Sequence, residues 1–130
     1  MTLRSTIFDR CTTGRHAGLS ALIGLRCYPD RLPENVTFPA VVYHLISADN
    51  SGYRTQDGAT TREVSRIQFD CYAETGDGAS ALGDQVRAAW DGYSDDCTVG
   101  YAWQANRIMT REDGLNAWRA IVDIMIEHSV

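Results

Sequence analysis

The sequence contains no lysine, so all 12 of its basic residues are arginine. A phosphate-binding loop that ends in Gly-Lys-Ser/Thr is therefore excluded, because its lysine is missing. The 17 acidic residues give a formal net charge of −5 and a pI near 5.0. A protein that holds nucleic acid through its phosphates needs a basic surface, so the charge balance argues against that class of function.

Long apolar runs are lacking as well. No stretch approaches the ~20 apolar residues that span a bilayer, and the N-terminal residues lead into no apolar run. We therefore expect no membrane segment, no signal peptide and a reducing compartment. The cysteines are then predicted to be small buried apolar residues. They lie at Cys11, Cys27, Cys71 and Cys97, with no C-x-x-C and no zinc-finger spacing.

Catalytic motifs are missing too. There is no G-x-S-x-G elbow, and no G-x-G-x-x-G follows a strand. We interpret Gly76-Asp77-Gly78 as a turn with a helix cap. Asp95-Asp96 and Glu112-Asp113 are acid pairs beside turn signals, and hydrolytic chemistry would require carboxylates that converge in space. His44 is predicted to be a satisfied core or interface histidine, and the other two histidines have no partner at ligand spacing. We expect no enzyme, no cofactor and no metal.

The 130 residues, 44% of them hydrophobic, predict one domain over 1–130, with a hydrophobic core large enough to be stable without disulfides or bound metal ions. Apolar spacing predicts a broken helix over 3–23, interrupted near Gly14 and stopped at Gly24. The strongest helical pattern covers 77–91, where Asp77 or Thr75 can serve as the N-cap.

Strand patterns occupy most of the rest. A short extended piece is predicted at 26–29, and a strand apolar on both faces at 40–48, which suggests a central strand covered on two sides. Residues 63–73 alternate, with Ser65, Ile67, Phe69, Cys71 and Ala73 on one face. This strand should pair antiparallel with 40–48.

Two further strands are predicted towards the C-terminus. Residues 98–110 alternate, with Val99, Tyr101, Trp103 and Ala105 on one face. Residues 117–127 fit a strand or a helix, and their β-branched run favours the strand. The two form a hairpin across Asp113-Gly114. The expected fold class is α+β, an antiparallel-rich mixed sheet with the N-terminal and central helices packed on it.

The order of elements, together with several sequence stretches, resembles the tail terminator (tail completion) proteins of long-tailed phages and phage-derived particles. These stretches carry patterns of core, turn and strand residues, and the likeness covers nearly the whole chain. Cys27 stands where the family more often has a branched aliphatic residue. The matching stretches are 22–29, Leu32-Pro33, 38–43, 64–73, 79–90 and the closing hairpin.

The resemblance implies a structural subunit of a virion tail or neck, assembled in the cytoplasm of a bacterial host. Such proteins form a ring, usually a homohexamer, on the head-proximal end of the tail tube. The ring stops tube polymerisation and joins the tail to the head-tail connector or stopper protein. The implied partners are therefore other copies of the chain, the major tail tube protein and the connector. DNA passes through the lumen without specific binding. The particle could be a phage or a gene transfer agent.

The polar connection 49–62, with its Asp57-Gly58 turn signal, is predicted to be the docking element, since long loops in small domains are often functional. Its expected assembly-interface residues, with one from the following strand, are Tyr53, Arg54, Thr55, Arg62 and Arg66. Two alternatives stay open: another neck or minor capsid subunit such as a connector stopper, and a small cytosolic domain that binds a ligand between helix and sheet.

Overall fold

The computed structural model describes residues 3–12, 16–49, 62–95 and 99–129. The described residues form three α-helices: α1 (Leu3–Thr12), α2 (Ala17–Ile23) and α3 (Gly76–Trp90). They also form five strands: β1 (Cys27–Pro29), β2 (Ala40–Asp49), β3 (Arg62–Ala73), β4 (Val99–Glu112) and β5 (Ala117–Ser129). A 3₁₀ turn, Asp113–Leu115, connects β4 to β5. The α+β class predicted from the sequence is confirmed.

The five strands form one mixed sheet in the order β1-β2-β3-β5-β4. Only the β1–β2 pair is parallel, while β2–β3, β3–β5 and β5–β4 are antiparallel. The predicted pairing of the 63–73 strand with 40–48 and the predicted C-terminal hairpin are both confirmed. The sheet places β5 between β3 and β4, so the central pair β3–β5 joins strands that are not consecutive in sequence.

The helices cover one face of this sheet. The alternation in β3 delivers Ser65, Ile67, Phe69, Cys71 and Ala73 to the helix side, where all five are buried. From β5, Ala120, Val122, Ile124 and Ile126 point the same way and are fully buried. The apolar stripe of α3 packs on them and includes Leu82, Val86 and Trp90. The strand assignment for 117–127 is confirmed, because β5 covers Ala117–Ser129 and its helix-side residues recur with a period of two. Ala117 and Asp123 are also buried, on the opposite face.

Local signals set the helix ends. Thr75 is the N-cap of α3, and its side-chain oxygen accepts a hydrogen bond from the Gly78 N–H at 3.0 Å. This confirms the interpretation of Gly76-Asp77-Gly78 as a turn and cap. Gly24 follows α2 with φ of 57° and donates its N–H to Ser20, as its predicted stop role requires. The predicted interruption at Gly14 and the turn at Asp57-Gly58 lie outside the described residues.

Three expectations about the strands need correction. β2 is buried on both faces only over Ala40–Tyr43, and Leu45–Asp49 are exposed. The predicted connection 49–62 is shorter at both ends, since Asp49 and Arg62 already belong to strands. The predicted common face of β4 is wrong, because bulges interrupt its register and bring Ala102 into the core while Tyr101 stays exposed.

Candidate assembly surface

The face of the sheet away from the helices carries the two described side chains among those predicted to serve assembly. Tyr53, Arg54 and Thr55 lie outside the described residues. Arg62 and Arg66 lie four residues apart on β3 and point to this face, which we call the open face. The structure therefore places two of the five predicted interface residues together on one surface.

Both arginines are already paired with carboxylates of β5. Arg62 donates through Nε to Glu127 Oε1 at 2.8 Å, and Arg66 donates through Nη2 to Asp123 Oδ2 at 2.5 Å. The Asp123 side chain is only 5% exposed, whereas the side chain of Arg66 is 44% exposed. Arg66 thus keeps much of its surface available to a partner while its charge is held in place.

A third group of paired charges, centred on Asp70, lies farther along β3 on the same face. Asp70, whose side chain is 3% exposed, accepts a hydrogen bond from Gln68 Nε2 at 2.9 Å. His44 Nε2 lies 3.0 Å from its other oxygen, and Arg119 Nη1 lies 3.5 Å from that same oxygen. Arg119 also reaches Glu112, with its Nη2 2.7 Å from Oε1. Three polar contacts compensate the burial of this carboxylate.

The Asp70 cluster forms the floor of an open cleft of about 620 Å³. Exposed aliphatic side chains stand at its rim, namely Leu45, Ile46 and Leu115. Tyr72 lines the cleft too, and burial raises the pKa of its phenol, with the Asp70 carboxylate acting in the same direction. An apolar rim around a satisfied polar floor suits contact with another protein surface better than acid–base chemistry.

The acid pairs singled out in the sequence do not converge on a common point. Asp95 accepts hydrogen bonds from the Val99 N–H and the Tyr93 hydroxyl, and Asp96 lies outside the described residues. Glu112 turns toward Arg119, while its neighbour Asp113 accepts from Arg111 Nε at 3.0 Å. Each of the three described carboxylates therefore has a local structural partner.

The histidines and cysteines likewise have structural roles. His44 is satisfied by Asp70, and the buried His128 has its Nε2 2.7 Å from Ser65 Oγ. His16 Nε2 lies 3.3 Å from Gln85 Oε1. Within the described parts of the chain, no group of His, Cys, Asp and Glu has an arrangement that could hold a metal ion.

Three of the cysteines are buried thiols, as predicted: Cys11, Cys27 and Cys71. A hydrogen bond with Cys11, together with burial, raises the pKa of the Cys27 thiol. Burial raises the pKa of the Cys71 thiol. The prediction for Cys97 falls outside the described residues. All three described thiols lie in the core, where they pack as small apolar groups.

Sequence reasoning missed the Asp70 and Asp123 clusters as sites. A signal was present, because Arg66 and Asp70 share one face of β3, and Arg119 and Asp123 share one face of β5 with complementary charges. Their pairing depends on the β3–β5 register, in which Gln68 lies opposite Asp123. That register joins distant parts of the chain and was not available from local patterns.

Comparisons with known proteins agree with the fold just described. The model of one protein family, described as tail completion protein gp17, matches residues 7–128. A solved structure titled "Virion of native gene transfer agent (GTA) particle" contains a chain that is 18% identical, with a TM-score of 0.63. That match covers 99% of this chain and 100% of the other, and it shows a shared fold. No curated protein matches the chain.

The family match defines a structural protein of a phage-type tail, located in the virion. The chain belongs to the tail completion protein family of phages, which the match over 7–128 establishes. The resemblance found from the sequence alone is therefore confirmed. Among the described helices, none is long and apolar enough to cross a membrane.

Proposed function

We propose that this protein forms a ring at the head-proximal end of a phage-type tail tube, stops tube polymerisation and joins the tail to the head connector. Membership of the tail completion family over nearly the whole chain is the observation that carries this proposal. The ring is expected to contain six copies, and a closed ring requires heterologous interfaces that close by rotation. The function is structural, so it requires no catalytic residue.

Passage of DNA through such a ring is supported by the way the charges of the open face are paired. Arg62, Arg66 and Arg119 each contact a carboxylate within 2.8 Å. Phosphate binding requires cations that are free to replace counterions. The pairing and the formal net charge of −5 therefore favour a surface along which DNA slides without specific binding.

The connection between β2 and β3 is proposed as the element that docks on the tube. Asp49 lies opposite Val64 in the β2–β3 ladder, so both ends of the connection leave the sheet at the same end. Tyr53, Arg54 and Thr55 are its proposed contact residues, with Arg62 and Arg66 beside it.

The test is a capping assay on purified tail tubes. The protein is added to tubes of the matching major tail tube protein, and electron microscopy scores the fraction of tubes with one capped end. We expect caps at one end only and an arrest of tube elongation. Caps at both ends, or tubes that keep growing beneath the cap, would contradict the proposal. Labelling in intact particles then distinguishes this protein from a connector stopper or minor capsid subunit, because only a terminator contacts the tube protein directly.

Deleting residues 52–60 tests the docking connection. The deletion should leave the thermal unfolding temperature nearly unchanged while it abolishes capping, since both flanking strands keep their ladders. A substitution of the exposed Leu25 by Ala serves as the control and should cap like the wild type. Capping by the deletion variant would show that tube contacts lie elsewhere.

We also propose that the isolated protein is monomeric and closes into a ring only on the tube, because the end of the tube is the surface on which the ring nucleates. Sedimentation at micromolar concentration decides this, and a stable hexamer there would rule it out. The alternative of a ligand bound between helix and sheet gains little support, because the cavity lined by Leu3, Ile7 and Ile67 measures only about 50 Å³. Small-molecule sites are typically several hundred Å³.

A further inference from the structure

One side of the sheet is left open over half the length of β2. β1 pairs with β2 only from Val41 to Tyr43, and the Asp30 N–H then bonds to the Tyr43 carbonyl. Beyond that point, the backbone of 45–49 has no strand on its β1 side among the described residues. We call residues 45–49 the β2 half-edge.

The opposite side of the sheet is open over half of β4. Its first half is covered by the segment that follows α3: the Gly92 N–H bonds to the Ala102 carbonyl, and the Ala102 N–H to the Tyr93 carbonyl. The Gln104 N–H bonds to Asp91 Oδ1. Past this point, within the described parts of the chain, no backbone partner lies along residues 105–112 on the outer side. These residues form the β4 half-edge.

The two half-edges resemble each other in composition and backbone. Each begins at a bulge, between Leu45 and Ser47 in β2 and between Gln104 and Asn106 in β4. Exposed aliphatic side chains follow, with Ile46 at 47% and Ile108 at 51% exposure. Neither half-edge contains proline, which would remove a backbone N–H donor from the edge. Open edges of this kind are templates for strand addition.

The half-edges lie diagonally across the sheet. The strand pairings put Ser47 at the level of Met125, and Ile108 at the level of Ile121. The two half-edges are therefore offset by four residues along the strand direction, which is about 13 Å. The four strands that each copy would contribute, β2, β3, β5 and β4, repeat about every 19 Å across the sheet, at about 4.8 Å a strand. Joining the half-edges of successive copies would therefore tilt the strands by about 35° from the ring axis, and closed barrels have tilts of roughly 35–45°.

We propose that neighbouring copies in the ring join by strand addition, the β4 half-edge of one copy pairing antiparallel with the β2 half-edge of the next. This inference rests on the proposed ring. β2 and β4 run in opposite directions, and rotation about a ring axis preserves strand direction, so the junction is antiparallel. Because each copy supplies one half-edge of each kind, the contact is head-to-tail and continues the sheet around the ring.

Geometry favours a second copy as the occupant. The charged side chains of the β4 half-edge are already paired within their own copy: Arg107 with Asp84, Arg111 with Asp113 and Glu112 with Arg119. The junction therefore forms through backbone pairing and the exposed isoleucines Ile46 and Ile108, and it leaves these ion pairs in place. The diagonal offset of the two half-edges, which matches the strand tilt of a closed barrel, is what selects another copy of the chain.

The contact is tested by cross-linking in a Cys97→Ser background, in which the remaining cysteines are buried. The double variant Ile46→Cys/Ile108→Cys is treated with a short bis-maleimide, both on capped tubes and as concentrated free protein. We expect a ladder of covalent oligomers that ends at the ring size. Each single variant is the matched control and should give no ladder, because the junction needs one cysteine of each kind.

The outcomes separate the contact from the proposed function. A ladder in either sample supports the junction. Absence of a ladder from both samples, or a dimer from Ile108→Cys alone, overturns it, since such a dimer means that two β4 edges pair symmetrically. The free protein is cross-linked at a concentration far above the micromolar range in which we expect a monomer, so that mass action populates the junction without tubes. Tube capping by the Cys97→Ser protein is scored separately, and a failure to cap rejects the proposed function while the concentrated free protein still decides the junction.

Lysine substitutions give an independent readout. Ile46→Lys and Ile108→Lys each place a charge on an open edge and should reduce capping about tenfold or more. Leu25→Lys, at a side chain that is 69% exposed and on neither half-edge, should cap normally. Thermal unfolding of all three should stay close to that of the parent protein. Normal capping by both edge variants would refute strand addition.

Discussion

Removal of the buried carboxylate of Asp70 should destabilise the fold far more than removal of an exposed one. The Asp70 side chain is 3% exposed and is contacted by His44, Gln68 and Arg119. Replacing it with alanine leaves Arg119 and the amide of Gln68 without this partner at the floor of the cleft, where both groups are only partly exposed to water. Asp30 offers a matched control, since its side chain is 61% exposed and pairs with Arg4 at the surface.

The expected magnitude follows from the solvation of the partners. Breaking a buried ion pair by deleting one member costs about 3–5 kcal/mol. Arg119 is 26% exposed and keeps Glu112 at 2.7 Å, and His44 is 28% exposed, so both recover part of the loss. We therefore expect Asp70→Ala to lower the free energy of unfolding by about 2 to 3 kcal/mol. For 130 residues this corresponds to a fall in Tm of about 7 to 11 °C.

Urea unfolding followed by tryptophan fluorescence measures the difference. Asp30→Ala should change the free energy of unfolding by less than about 1 kcal/mol, as exposed pairs do. Asp70→Asn, which keeps the shape and one acceptor oxygen, should fall between the two. If Asp70→Ala and Asp30→Ala prove equally mild, burial is not what gives the Asp70 cluster its stability, and the reasoning fails.

Three further predictions follow from the described core and caps. Because the Cys11 hydrogen bond and burial raise the folded-state pKa of the Cys27 thiol, and burial raises that of the Cys71 thiol, their contribution to stability is fully present below the unfolded thiol pKa of about 8.5 and is lost as pH rises above it. Between pH 8 and 9.5, urea unfolding should show a total fall of about 1.3 kcal/mol for each thiol, and Cys71→Ala should lessen that fall. Thr75→Ala should cost about 1 kcal/mol of stability through loss of the α3 cap, with Thr75→Ser close to wild type, and equal unfolding midpoints for both variants would disprove the cap's role. Trp90→Ala should lose about 3–5 kcal/mol because a fully buried indole leaves a cavity, whereas Trp103→Ala, partly exposed on the open face, should lose much less; similar losses from both would contradict the burial argument.

Local patterns were sufficient for most of the fold. Alternation in β3 identified its core face residue by residue, and the β-branched run Ile121–Ile126 correctly favoured a strand for β5. The caps of α3 and α2 were visible as Thr75 and Gly24. In each case the information lay within a few residues, and the physical rule acts over the same distance.

The predicted face of β4 was wrong because one inserted residue reverses the faces of the side chains that follow it. A bulge in β4 at Gly100 shifts the side chains by one position, so Tyr101 and Ala102 exchange the faces that strict alternation gives them. The backbone at Gly100 lies so close to the Arg62 guanidinium that an added Cβ would collide with it. That constraint comes from a residue 38 positions away in sequence, and no local pattern reveals it.

The candidate site was predictable only in part for a related reason. Arg62 and Arg66 were expected to serve assembly, and they lie on the open face, but their interface role stays a prediction. The Asp70 and Asp123 clusters need the register between β3 and β5, which a one-residue slip would destroy. Exposure of the two half-edges depends on where β1 and the segment after α3 stop, which is a property of the whole sheet.

The position of β5 inside the sheet has a consequence for biogenesis. During synthesis, β1, β2, β3 and α3 leave the ribosome first, and β3 then presents an unpaired inner edge. β4 has no place in the sheet until residues 117–129 have been made, because β5 is its only partner strand in the described structure. Non-local pairing of this kind is slow and leaves edges open to aggregation in the meantime. It also means that an unfinished chain has no paired β4, so an incomplete subunit lacks one of the two edges of the proposed junction.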